Sequence, residues 1–518
     1  MRAGLQPDRR GRARLAIGRF ARLGVRGTLI FRAMPTISAE SGPAFVSKRS
    51  RFRLMAVTNW ELVRPYGRWL YYTLFPSRRP EYFRAAWKSP SYDLGQDLAP
   101  LWNDRTGDLQ TFIFFPLVDW HTRMQRSQHL AMALADLGHR CIYLNPHLGL
   151  EFPKPPLFSP RAQLSPLCPG VFELHIHLPA EHPLDSRSLQ RREVNFILTE
   201  VDKALSNLGV TDAIQVVSIP SWLDVVTVLR NRHGFPILYD CHDYLPGFDR
   251  LARDIIEAEP RLLKICDHVM FSAQHLMNVN LDRVSGLESK AALLRNANRP
   301  DDFVPYDKPR VPNVRRRVGY VGSLDHWFDV DLLRQTAALQ PDLDFVLAGR
   351  IEDNRIRELE RAPNIQFAGE IPHDAVPPFL HGCDAGMIPF CRVPLTMATN
   401  PIKLYEYLSA GLPVVSTRLP EVEFYHELVY IADTPAEFAS FLGSAVNEED
   451  TQMRDKRTAT GHAESWLNRA KVLVKRVTSL DRLNRGTTRT TCLDSPRSSQ
   501  NEGPAKTMSS TIVEVQSP

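Results

Sequence analysis

Cysteine is scarce in this 518-residue chain: seven in all, an odd number, with no CxxC pair and no framework spacing. That excludes a disulfide scaffold and argues against a thiolate zinc site; it fits reduced thiols in a cytosolic compartment. Long apolar runs are missing too. No stretch approaches the roughly 18 residues of a membrane span, and arginines interrupt every apolar run near the start, so no secretory core forms there. One-sided charge is also absent, since 64 Lys and Arg against 58 Asp and Glu leave only +6. With a balance that mild and no nucleic-acid motif, a nucleic-acid partner is not expected.

What is present is unevenly placed. Residues 1–34 hold nine Arg and one Asp. Residues 1–56 therefore read as a disordered basic arm, a targeting peptide, or the product of a start codon set too far upstream, with Met34 and Met55 as alternatives. The appendage 57–109 differs in character. Within 59–90, Trp60, Trp69, Tyr71, Tyr72, Phe75, Tyr82, Phe83 and Trp87 interleave with Arg64, Arg68, Arg78, Arg79, Arg84 and Lys88. Such a mixture suits an anionic membrane surface, hence a cytoplasmic protein peripheral to the membrane. The plainer reading is that these aromatics pack on the first domain as an N-terminal appendage.

From Thr111 the patterning becomes regular. TFIFFPLV reads as a buried strand, MQRSQHLAMALADLG as an amphipathic helix and RCIYL as the next strand. Residues 150–190, rich in Pro and His, read as an elaborated loop with one strand at FELHIHL. Strands then alternate with helices as far as KAALLRN, which implies a parallel sheet covered on both faces. RPDDFVPYDKPRVPNVRRR reads as a linker, after which the alternation restarts. The expected fold is α/β, with two tandem doubly wound Rossmann-like domains at 110–306 and 307–448 and a cleft between them. Residues 449–483 would form a terminal helix, and 484–518 a disordered tail.

Asn400–Ser416, NPIKLYEYLSAGLPVVS, stands out. Asn400 suits a helix N-cap and Pro401 the first helical position. Gly411 suits the left-handed residue after the last turn. Lys403 falls at the third helical position, where the helix dipole repels a cation at a cost of roughly 0.3–1 kcal/mol. An anion docking there, such as phosphate, would explain it. Glu406 falls near the same face, able to accept hydrogen bonds from hydroxyls. Phosphate beside a diol describes a nucleotide sugar; a surface Lys–Glu pair on an ordinary helix is the plain alternative. Gly322 and Ser323, after the first strand of the second domain, form a turn where backbone can approach phosphate. Gly349 and Arg350 follow the next strand, with Arg350 as a further phosphate contact or a solvated arginine.

Taken together, VGYVGSLDHWFDVDLL, DFVLAGR, NIQFAGEIP, CDAGMIPF and NPIKLYEYLSAGLPVVSTRLPEV resemble, in order, the GT-B glycosyltransferases. They look most like the bacterial group 1 set that builds surface polysaccharides, including teichuronic-acid-type enzymes. RSQHLAMALADLGHRCIYLNP, ILYDCHDYLPGF, CDHVMFSAQHL and ESWLNRAKVLV extend the resemblance over roughly residues 110–480. It implies nucleotide-sugar binding in the second domain, acceptor binding in the first and glycosyl transfer between them. No cofactor or metal is implied, the nucleoside diphosphate sugar being a co-substrate. Glu406 matches the second glutamate of the family's pair, which holds the ribose; the first position is Ala398. The Arg/Lys pair of many relatives is replaced by Leu324, Asp325 and His326, so Lys403 stands in for the missing charge. Thr399 and Asn400 are placed toward the sugar, and the loop Gly369–Pro372, with Ile371, against the base.

On the acceptor side, Asp119, His121 and Arg126 follow the first strand, and Asp240, His242 and Asp243 end another. A carboxylate or imidazole there could take the proton of an acceptor hydroxyl, although most of the 16 histidines should be structural. The expected activity is transfer of a sugar to a hydroxyl of a glycan or lipid-linked acceptor. Two rivals are a GT-B nucleotide-sugar epimerase and a non-catalytic scaffold that binds a glycan or an assembly partner.

Overall fold

Two series of apolar runs, separated by a Pro-rich link, become one mainly parallel sheet and one wholly parallel sheet. The structure is a computed structural model. It describes residues 67, 70–78, 92–94, 102, 109–148, 161–178, 182–303 and 314–489, with side chains as far as 478. The basic segment 1–56, most of 59–90 and the tail beyond 489 lie outside the described residues. Within 70–78, Leu70, Tyr71, Leu74 and Phe75 are exposed. Among the described residues no helix is long and apolar enough to cross a membrane.

The first sheet has nine strands: β1 (Tyr92–Asp93), β2 (Thr111–Phe115), β3 (Arg140–Leu144), β4 (Ala162–Cys168), β5 (Val171–Ile176), β6 (Ile214–Val217), β7 (Ile237–Cys241), β8 (His268–Phe271) and β9 (Ala291–Leu293). Their order is β1-β4-β5-β3-β2-β6-β7-β8-β9. Only the β1–β4 and β4–β5 pairs are antiparallel. The stretch expected as a loop with one strand thus holds a hairpin. Pro166 hid β4, because proline removes a ladder donor and argues against a strand. It is tolerated here beside a register shift between Pro166 and Cys168.

The second sheet is β10 (Arg316–Val321), β11 (Leu343–Ala348), β12 (Ile365–Gly369), β13 (Ala385–Ile388), β14 (Val414–Thr417) and β15 (Val429–Ala432). All its pairs are parallel, in the order β12-β11-β10-β13-β14-β15. The order reverses between β10 and β13, and in the first sheet between β2 and β6. Crevices beyond the carboxyl ends of strands at such reversals are where ligands bind in open α/β sheets.

Two helical expectations need correction. RIEDNRIRELERA forms 3₁₀ turns over Asn354–Arg361 instead of an α-helix. Its buried residues, Ile356 and Leu359, are spaced by three, the 3₁₀ repeat. The terminal helix is two helices broken at Glu464–Ser465. Thr451–Ala463 packs on Ile402–Ser409, and Trp466–Arg489 packs on Arg126–Asp136 in the first domain. Trp466, Ala470, Leu473 and Val477 close one face of the first sheet, against Leu130, Leu134 and Tyr143.

Candidate functional site

The second-domain half is built on two glycine turns. Gly322, with φ +141°, follows β10, and Gly349, with φ +159°, follows β11. A Cβ on Gly349 would lie 1.8 Å from the Gly322 carbonyl oxygen, so a side chain is excluded where the turns touch. The Tyr320 hydroxyl donates to the Ser323 carbonyl at 2.8 Å and fixes the turn. Among the described residues the Ser323 N–H has no hydrogen-bond partner.

Lys403 sits directly on this turn. A Cβ on Gly322 would be 3.1 Å from its Cε and 3.2 Å from its Nζ. The ammonium lies 4.8 Å from the centre of the Phe390 ring and 5.1 Å from that of Tyr320, positions that favour a cation. It has no hydrogen bond or ion pair among the described residues. Burial pulls its pKa down to about 8, against the opposing charge of Glu406. Glu406 is itself 9% exposed. Burial raises its carboxyl to about 7, with Lys403 opposing and Asp302 adding to the rise. His373 Nε2 approaches Glu406 Oε1 at 4.0 Å. Burial lowers the His373 pKa, so the ring is neutral near pH 7. The loop from Gly369 (φ +76°) through half-buried Ile371 leads to this histidine.

Asn400 does not cap the helix. Ile402–Ser409 starts one residue later than expected, with Pro401 at the cap and Lys403 as the second helical residue. The Asn400 side chain accepts from Asn296 N at 2.9 Å. Its amide donates to the Tyr405 hydroxyl at 2.9 Å and to Glu421 Oε2 at 2.9 Å. Asn296 Nδ2 also donates to the Asn400 carbonyl at 2.6 Å. These bonds leave the Asn400 side chain joining the two domains instead of facing a cleft. Thr399 is engaged as well, its hydroxyl donating to the Leu395 carbonyl at 2.7 Å. Ala398, 1% exposed, packs into the core of the first domain.

In the first-domain half, His121 N donates to Asp119 Oδ1 at 2.7 Å and His121 Nε2 lies 3.3 Å from Glu173 Oε2. Asn145 holds the other Glu173 oxygen at 2.7 Å. Burial alone would depress His121, but the Glu173 hydrogen bond and the charges of Glu173 and Asp119 prevail, and its pKa is raised. Burial, helped by the charge of Glu173, raises Asp119 to about 6. Asp119 Oδ2 is buried without a hydrogen-bond partner. Arg126 and Asp240 are not at this centre: they form a buried pair, Nε to Oδ1 at 2.9 Å and to Oδ2 at 3.0 Å. The same guanidinium donates to Asn296 Oδ1 at 2.9 Å, extending the polar chain to Asn400. His242, half-buried, lies 3.0 Å from the Asp240 carbonyl and 3.5 Å from Asp243 Oδ2, two strands away from β2.

Arg123 joins the halves. From the loop after β2 it reaches Ser323 Oγ at 3.1 Å, Glu352 Oε1 at 2.8 Å and Glu370 Oε1 at 3.3 Å. Arg350 also donates to Glu352 Oε1, at 2.6 Å. Arg123, Glu173, Glu352 and Glu421 are absent from the sequence-predicted site, and apart from Arg350 beside Glu352 their partners lie far off in the chain. Among the described residues no cluster of His, Cys, Asp and Glu is arranged to hold a metal ion.

Residues 315–447 match the family model described as Glycosyl transferases group 1. A Bacillus subtilis (strain 168) protein, provisionally named the teichuronic acid biosynthesis glycosyltransferase TuaH, is 25% identical over 271 residues, covering 45% of this chain and 67% of its own. Sucrose-phosphate synthase from Thermosynechococcus elongatus superposes with a TM-score of 0.54 at 15% identity, over 74% of this chain and 100% of the other. The catalytic domain of Arabidopsis thaliana starch synthase IV, bound to ADP and acarbose, gives 0.52 at 12% identity, over 72% and 99%. The α,α-trehalose 6-phosphate synthase of Burkholderia multivorans gives 0.52 at 14%, over 73% and 99%. The chain thus has the GT-B architecture, two Rossmann-like domains about a cleft, and its second domain is similar to the group 1 glycosyltransferases.

Proposed function

We propose that this protein is a glycosyltransferase that moves a sugar from a nucleoside diphosphate donor to a hydroxyl of a glycan or lipid-linked acceptor. The observation that carries this reading is Lys403, a cation with no described partner, lying on a glycine turn at the strand-order reversal of the second domain. Its ammonium and the Ser323 N–H would stabilise the charge that builds on the departing diphosphate. Glu406 would accept hydrogen bonds from the ribose hydroxyls, and the loop Gly369–Ile371 would border the base. On the acceptor side, His121, whose pKa Glu173 and Asp119 raise, would take the hydroxyl proton when its ring is neutral. Its Nε2 faces Glu173, so Asp119 Oδ2 is the second acceptor of that centre.

The name of the Bacillus subtilis relative supports an acceptor in surface-polysaccharide assembly. The exposed Leu70, Tyr71, Leu74 and Phe75 support contact of the 59–90 segment with an anionic membrane surface, and so a cytoplasmic, peripheral enzyme. One observation favours a second reading, a scaffold without transferase activity: the position of the family's first glutamate is Ala398, pressed into the opposite domain.

A panel of UDP, GDP and ADP read by thermal shift tests the donor site. Ligand that binds only the folded state stabilises it by about 2.7 kcal/mol at 100 times its Kd, so one base should stand out. Glu406→Ala should abolish most of that shift. A flat response across the panel would remove the transferase reading and leave the scaffold.

A further inference from the structure

The glycine turn at Gly322 and Ser323 is followed by Leu324, Asp325 and His326, with no Lys or Arg among them. Lys403 alone is a meagre counter-charge for a diphosphate. The structure brings a second cation to the same turn from the other domain. Arg123 is held in place from behind, its carbonyl accepting from Gln128 Nε2 at 2.6 Å. Its guanidinium Nη1 donates to Ser323 Oγ, the side chain next to Gly322. Its other nitrogens rest on Glu352 and Glu370, carboxylates from the loops after β11 and β12.

The surroundings resemble an anion site already filled by protein. Glu352 is contacted by Arg350 from its own domain and by Arg123 and Arg250 from the opposite one. Burial would raise the Glu352 pKa, but hydrogen bonds from Arg350 and Arg123 lower it, so it is ionised at neutral pH. Three guanidiniums face two carboxylates, Glu352 and Glu370, which leaves an excess of one positive charge. A planar guanidinium binds phosphate as readily as carboxylate, with the same paired geometry. Among the three arginines, Arg123 is the one that touches the turn carrying the Ser323 N–H, which has no partner among the described residues.

We infer that Arg123 supplies, from the first domain, the second cation of the diphosphate site, exchanging its Glu352 and Glu370 contacts for phosphate oxygens when a donor binds. This rests on the donor-site reading above and adds that the site is completed by both domains. Glu352 then acts as the internal anion that a donor phosphate displaces from Arg123.

Isothermal titration of the full chain with UDP, GDP and ADP, each compared with its free nucleoside at millimolar concentration, tests this. Arg123→Ala should cut affinity for the preferred diphosphate at least tenfold and leave the nucleoside unchanged. Arg123→Lys should restore part of the loss. Arg250→Ala, which removes another inter-domain contact on Glu352 but none on Ser323, should show no diphosphate-selective loss. Equal losses for both ligands in Arg123→Ala, or none, would overturn the inference. If Arg123→Ala does not fold, Glu352→Gln decides: freeing Arg123 should raise diphosphate affinity, and an unchanged or weaker value would overturn it. Wild-type protein that binds neither ligand would instead overturn the donor-site reading beneath it.

Discussion

Asn400 and Lys403 stand three residues apart at the start of one helix, yet their surroundings are opposites. Every polar atom of the Asn400 side chain has a partner, on elements from both domains. Lys403 has aromatic faces around it and no hydrogen bond among the described residues. A buried group with all its bonds made stabilises one arrangement of the domains. A half-buried cation with none costs stability and keeps its binding capacity for something else. The difference separates what holds the cleft from what would work in it.

The comparison can be broken most strongly at Asn400. Asn400→Leu should lower the midpoint of urea unfolding sharply, because each buried polar group left without its partner costs about 1–3 kcal/mol, and Glu421, Tyr405 and the Asn296 N–H all lose one. An unchanged midpoint would mean that the joint between the domains is not where the structure puts it. Lys403→Met should do the reverse. Thermal stability should hold or rise slightly, since a poorly solvated charge leaves an apolar neighbourhood. Nucleoside diphosphate affinity should fall roughly 10–100-fold, the worth of a charge-assisted hydrogen bond of about 1.5–3 kcal/mol. A loss of stability without a loss of affinity would make Lys403 a structural residue.

The smallest effect is in pH. Lys403, lowered to about 8, must be protonated to meet a diphosphate. Glu406, raised to about 7, is the stronger acceptor when ionised. Affinity should therefore fall as pH rises above 8, where the lysine loses its proton, and as pH drops below 7, where the carboxylate gains one. Diphosphate binding should take up protons between pH 8 and 9, because the bound anion raises the lysine pKa. Titrations in buffers of different ionisation enthalpy would measure that uptake, and none would count against Lys403 as the contact. The folding term for Glu406 has its own sign: its raised pKa makes its contribution to stability decline as pH climbs from about 4.5 to 7.

How far the sequence reached follows from the range of each interaction. Parallel strands buried on both faces read as apolar runs, so the two sheets were visible; residues 304–313 of the expected linker lie outside the described residues. Gly411, with φ +71°, takes the left-handed place at the helix end that local chemistry dictates. Asn400 looked like a cap because caps are chosen locally, but Asn296 and Glu421 recruit its amide from afar, and Pro401 takes the cap position. The β4 strand was hidden by a proline that only a bulge makes tolerable. Arg123 and Glu173 carried no signal at all. Their partners are 200 residues away at Ser323 and 52 away at His121, separations that no window of sequence spans.

The chain crosses between the domains twice, and the two crossings run side by side. Asn298 N donates to the Glu464 carbonyl at 3.1 Å, and Trp466 N donates to the Asn298 carbonyl at 3.0 Å. Ser409 Oγ then anchors Asn298 Oδ1 at 3.0 Å. The two crossings differ in kind: cutting the first leaves the halves held only by the packing of Trp466–Arg489 on Arg126–Asp136, whereas cutting the second leaves the peptide link of the first intact. A chain nicked at the second crossing should still bring its two halves together around a ligand, while one nicked at the first depends on that helix staying docked.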